Sequence, residues 1–161
     1  MRGGLAVVAA FAIAWPLAGF AEDLSVAGIE GQIDHDGAKA VVGRLTAGTG
    51  KPWRAVLTHI ESGQEAWLKV AHALHPGVDA GSGEDLAAAV ATALRNNPAP
   101  VLKMTGPDFP LAQVCDIPLI EPSDAQVARW KRRVTTALAR VKDISLAEKV
   151  RQCRAAIAAI K

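Results

Sequence analysis

Four histidines, two cysteines, five serines and a basic run near the C-terminus are the first side chains to weigh for chemistry in this 161-residue chain. His72 and His75 lie one helical turn apart, with His59 on the segment before them. These three are the residues a metal would have to use. Zinc sites take three or four protein ligands, and no Glu or Cys accompanies the pair at ligand spacing. Asp34-His35-Asp36 has the look of a metal triplet. Adjacent residues share no face of a helix, however, and Asp36 reads better as the N-cap of a following helix. No metal and no cofactor is therefore expected.

Nucleophilic and acid–base chemistry fares no better. Three of the serines (Ser82, Ser123 and Ser145) sit where helix caps belong, and none lies in G-x-S-x-G. Gly48-Thr49-Gly50-Lys51 is followed by Pro52, so it is not a phosphate-cradling Walker loop. Glu61, Glu65 and Asp79 are carboxylates with nothing to fix a pair at a glycosidase separation. No catalytic residue is assigned, and the chain is not expected to be an enzyme.

Cys115 and Cys153 lack the C-x-x-C spacing of a redox pair. A bridge between them would close a loop of 38 residues, worth at most about 4 kcal/mol by chain entropy. Such a bridge needs an oxidising compartment. The N-terminus agrees: Arg2, an apolar run from Leu5 to Leu17, then Gly19-Phe20-Ala21. That order is a signal peptide over residues 1–21, cleaved after Ala21. The run is short for a membrane span, which takes about 20 residues. A bacterial, periplasmic protein without a membrane-spanning segment after cleavage is expected.

The elements that must position these residues are helical. Trp53, Val56, Leu57 and Ile60 fall at i, i+3, i+4, i+7; Trp67, Val70, Ala71 and Leu74 repeat the stripe; Leu86, Ala89, Val90, Ala93 and Leu94 give it again. Gly63, Pro76-Gly77 and Asn97-Pro98 separate them. The expectation is one all-α domain of about six or seven short helices packed as antiparallel hairpins, with one disulfide. Residues 22–36 read as an acidic N-terminal arm, carrying a short strand or lying on the helices. Residues 37–161 form the helical domain: hairpins over 37–104, a Pro-rich connector over 105–122, and a C-terminal helix pair over 123–161. Ser82-x-x-Asp85, Ser123-x-x-Gln126 and Ser145-x-x-Glu148 read as capping boxes, and Asp143 or Ser145 caps the last helix. Leu146, Val150, Cys153, Ile157 and Ile160 put Cys153 on the buried stripe of the last helix.

Charge is sorted along the chain. Residues 129–161 hold ten Lys/Arg and two acids; residues 22–128 hold seven Lys/Arg and fourteen acids. Arg129, Lys131, Arg132, Arg133, Arg140 and Lys142 are the densest part and the candidate partner-binding residues. The plain alternative is a solvated face that offsets the acidic half. An exported chain has little access to nucleic acid, so none is expected. The reading is a periplasmic helical protein acting by protein–protein binding, of which an immunity or inhibitor protein is one form. Two alternatives stand beside it: an envelope accessory protein binding anionic lipid or peptidoglycan, and a histidine-based metal protein.

Overall fold

The computed structural model describes residues 23–160; the expected signal peptide over 1–21 lies outside them. The described chain is all-helical and carries one disulfide. Nine α-helices are seen among the described residues: α1 (Val26–Asp36), α2 (Ala38–Thr46), α3 (Lys51–Glu61), α4 (Glu65–Leu74), α5 (Ala80–Ala93), α6 (Pro98–Met104), α7 (Leu111–Val114), α8 (Asp124–Leu138) and α9 (Ala147–Ala159). Short 3₁₀ turns cover His75–Gly77 and Ile144–Leu146. None of the described helices is long and apolar enough to cross a membrane.

α3, α4 and α5 are the frame. Their stripes are buried as their spacing implies: Trp53, Val56, Leu57 and Ile60; Trp67, Val70, Ala71 and Leu74; Leu86, Ala89, Val90 and Ala93. α3 and α5 run parallel, with α4 as the return. At the leading end Trp53 Nε1 donates to Asp85 Oδ2 at 3.2 Å. At the trailing end Asn96 Nδ2 donates to the Glu61 carbonyl at 2.7 Å, and Asn97 Nδ2 to the Gly63 carbonyl at 3.0 Å. Gly63 sits at φ +74, and a Cβ there would lie 2.7 Å from Asn97 Cβ. Gly77 lets the 3₁₀ turn close on the backbone of Ala38 and Lys39, which a Cβ would strike.

Four local expectations are corrected. Residues 26–36 are a helix, where the sequence reading has a short strand or an arm lying on the helices. Gly28 and Gly31 weaken its propensity by roughly 1 kcal/mol each, which hides it in the sequence. Burial of Ile29 and the Ser25 cap onto the Gly28 N–H outweigh that. Asp36 does not cap α2: Gly37, at φ +82, breaks the chain there, and Asp36 pairs with Arg44 at 2.7 Å. α5 starts at Ala80, so the Gly-rich stretch is its first turn. Its box is Asp79 with Ser82, not Ser82 with Asp85. At the last helix Asp143 accepts from the Ser145 N–H and hydroxyl, so Ser145 is taken before it can box with Glu148. The Ser123–Gln126 box forms as expected.

The C-terminal pair is fastened to the frame by Cys115–Cys153, with Cα atoms 5.3 Å apart. Two lysines add to it by capping helix ends. Lys149 Nζ donates to the Leu102 carbonyl at 2.9 Å and the Thr105 carbonyl at 3.3 Å, closing α6. Lys131 Nζ donates to the Ile160 carbonyl at 2.7 Å and the Ala158 carbonyl at 3.4 Å, closing α9.

Gly63→Ala and Gly77→Ala should each lower stability by about 1–3 kcal/mol in urea unfolding. Gly31→Ala, with nothing within 4 Å of its Cβ position, should raise it by up to about 1 kcal/mol. Replacing both cysteines should cost about 2–4 kcal/mol; equal stability of the oxidised and cysteine-free proteins would contradict the bridge's role. Hydrogen bonds from Ser82 hold the Asp79 carboxyl below its ordinary range, and those from Ser145 and Lys103 do the same for Asp143. A carboxyl depressed by folding stabilises fully above its unfolded pKa and loses that stabilisation as pH falls through the folded value. The Asp79→Asn/Asp143→Asn double variant should therefore lose less of its melting temperature between neutral and acid pH than wild type.

Candidate functional site

The histidines do not converge as a group of three. His59 stacks flat on Trp67, ring centroids 4.4 Å apart and planes 7° from parallel. His72 is five residues beyond Trp67, about 140° round the helix. It turns instead to Asp108, Nδ1 to Oδ2 at 3.2 Å, and His75 Nδ1 lies 3.7 Å from the other carboxylate oxygen. The edge of Phe109 meets the His75 ring at 5.2 Å. Asp108 and Phe109 thus pin the Pro-rich connector onto the end of α4. His35, the centre of the Asp34–Asp36 triplet, is exposed and meets only its neighbour Asp36. No group of three His, Cys, Asp or Glu among the described residues is arranged to hold a metal ion.

The carboxylates are likewise engaged. A polar cleft of about 570 Å³ opens at the leading ends of α3 and α5, lined by Lys51, Arg54, Asp79 and Asp85 among others. Asp79 is held by its own cap and Asp85 by Trp53, so neither stands as a paired acid and base. Glu65 leans towards Lys69, one turn on, at 3.8 Å.

The basic cluster separates into two kinds of residue. Lys131 points to the end of α9 and is consumed there, which removes it from the partner-binding set. Arg132, Arg133 and Arg140 line one groove of about 370 Å³ with Thr136, Arg95 and Asn96. Positions 132, 133 and 136 lie on one side of α8, and Arg140 follows two residues past its end. Arg95 and Asn96 come from the end of α5, held in place by the Asn96–Glu61 bond. Arg129 and Lys142 do not line this groove. None of Arg95, Arg132, Arg133 and Arg140 forms an ion pair with a carboxylate among the described residues. Asp36 pairs with Arg44 and Asp143 with Lys103, away from the groove. The groove also lies at the C-terminal half of α8, where the helix dipole favours cations.

Four guanidinium groups in one groove can grip carboxylate or phosphate oxygens in two-pronged fashion, which ammonium groups do less well. Asp108 and Arg95 escaped the sequence reading because each acts at long range: 33 residues separate Asp108 from His75, and 37 separate Arg95 from Arg132. No local pattern marks such a pairing.

No family model, known protein or solved structure matches this chain.

Lys131→Met should cost about 1–2 kcal/mol in urea unfolding, because it strips a charged donor from the end of α9. Arg132→Ala and Arg133→Ala should each stay within about 0.5 kcal/mol of wild type, as exposed residues without partners do. Equal effects of all three would erase the distinction between structural and free cations.

Proposed function

We propose that this is an exported bacterial protein of the periplasm that acts by binding an acidic protein partner, not by catalysis. The groove of Arg95, Arg132, Arg133 and Arg140 carries the reading: four guanidinium groups, none paired with a carboxylate among the described residues, line one side of the molecule. A surface of that kind is complementary to a carboxylate-rich patch, which speeds encounter and selects partners by charge. The apolar pattern of residues 1–21 and the Cys115–Cys153 bridge support the exported address. An inhibitor or immunity protein is the concrete form we favour, because such proteins work by occupying a surface and need no chemistry of their own.

The same guanidinium groups would suit anionic headgroups, so the test carries both probes. The oxidised protein is titrated with fluorescent poly-glutamate and, separately, with vesicles of mixed neutral and anionic lipid over a range of salt. The reading predicts saturable, salt-weakened binding to the polypeptide, reduced about tenfold or more by Arg132→Glu/Arg133→Glu. Unchanged affinity in the double variant would remove the groove from consideration. Binding to the vesicles alone would favour an envelope role over a protein partner.

A further inference from the structure

Three large apolar side chains are exposed among the described residues: Leu119 at 42%, Ile120 at 96% and Ile144 at 88%. Ile144 lies in a 3₁₀ turn that Asp143 caps and the Leu146 N–H closes. Leu119 and Ile120 are adjacent in the connector between α7 and α8, where the backbone is held by far less. Among the described residues no backbone–backbone hydrogen bond reaches residues 117–122. The polar bond made there is local, from the Ile117 N–H to Asp116 Oδ1 at 2.7 Å. Glu121 holds φ +47, a left-handed conformation rare for any residue other than glycine.

An endopeptidase takes its substrate as an extended strand, with main-chain hydrogen bonds along it and side-chain pockets beside it. A helical segment must break its own ladder to adopt that form. Residues 117–122 have no ladder to lose, and straightening Glu121 releases its left-handed backbone. Proline then narrows the choice of bond. Ile117–Pro118 and Glu121–Pro122 join to a proline nitrogen, and Pro118–Leu119 puts the rigid ring immediately before the bond. A cut after Ile120 would place Pro122 second beyond the bond, where it has no N–H to give the enzyme. Leu119–Ile120 is free of these faults and carries a large apolar side chain on each side.

We propose that Leu119–Ile120 is a proteolytic processing site, open in the folded protein to an endopeptidase whose pocket takes a large apolar side chain. Water adds across the amide: Leu119 gains the carboxylate and Ile120 the ammonium, and nothing is oxidised or reduced. The two pieces do not part. Cys115 lies on the first and Cys153 on the second, so their bridge spans the cut. Lys149 of the second piece still donates to the Leu102 and Thr105 carbonyls of the first. The arginine groove is shared in the same way, with Arg95 on the first piece and Arg132, Arg133 and Arg140 on the second. The product is a two-chain molecule whose groove is joined covalently by one disulfide alone. Processing at this bond does not depend on the function proposed above.

Chymotrypsin, applied sparingly to the oxidised protein, tests the site. Trp53, Trp67, Trp130 and Phe109 are buried, so the aromatic positions are closed, and Leu119 is the exposed leucine among the described residues. The first cut within residues 23–160 should create an N-terminus reading Ile120-Glu121-Pro122 and raise the intact mass by one water. On a denaturing gel the product should run as one species without reductant and as two with it. Leu119→Asp alters an exposed side chain and should slow that cut about tenfold or more. Gly77→Ala lowers global stability but should leave the rate of the first cut unchanged, because the loop is reached without unfolding. Protein recovered from its native source should contain the same two-chain form. A first cut elsewhere, a rate that climbs with Gly77→Ala, pieces that separate without reductant, or a native chain that is wholly uncut would overturn the proposal.

Discussion

The parallel registration of α3 and α5 is the constraint on which the rest of the molecule depends. It is fixed at both ends by bonds that only this register allows: Trp53 to Asp85 at the start, Asn96 and Asn97 to the Glu61 and Gly63 carbonyls at the finish. Between those ends the contact is apolar, and apolar contact alone tolerates sliding. The polar bonds do not, because a shift of one helical turn would leave them unmade. Once the register is set, α4 has a single return path. Its outer face then carries His72 towards the connector, and the end of α5 carries Arg95 towards α8.

The C-terminal pair depends on a second layer of fastening. The disulfide brings α7 and α9 together, and Lys131 and Lys149 close the exposed carbonyls of α9 and α6. Lysine suits this capping role because a compact ammonium on a flexible stem reaches carbonyls converging from different directions. Arg132 and Arg133 on the same helix, and Arg140 just past its end, are not drawn into it. Arg132, Arg133 and Arg140 face a groove whose shape is set by the neighbouring α5 terminus. The positive charge of residues 129–161 is therefore divided. Part of it holds helices together, and part of it is presented outward.

Much of the fold was legible because burial follows period. The stripes of α3, α4, α5 and α9 could be read from spacing alone, and the two cysteines allow one pairing. α1 was not legible, since two glycines and an acidic surface disguised a helix that one buried isoleucine, Ile29, holds in place. Caps were legible in part: the Ser123–Gln126 box forms and Asp143 is a cap, whereas Asp79 precedes the serine that looked like the start of α5 and takes its N–H. The site was legible by half. The density of basic residues marked the region of Arg132, Arg133 and Arg140, but nothing local singled out Lys131 for a carbonyl at the end of α9. The histidines looked like one group because they are near in sequence. His59, on α3, stacks on Trp67, and a distant aspartate claims the other two.

Whether the arginine groove is a protein-binding surface is tested most directly by affinity capture from native periplasm. The chain from Glu22 onward is tagged at its C-terminus, and the bound proteins are quantified by mass spectrometry. A protein-binding groove predicts one stoichiometric partner with an acidic contact surface, present with wild type and depleted with Arg132→Glu/Arg133→Glu. The same partner recovered equally by both proteins, or recovery of lipid and wall fragments alone, would contradict it.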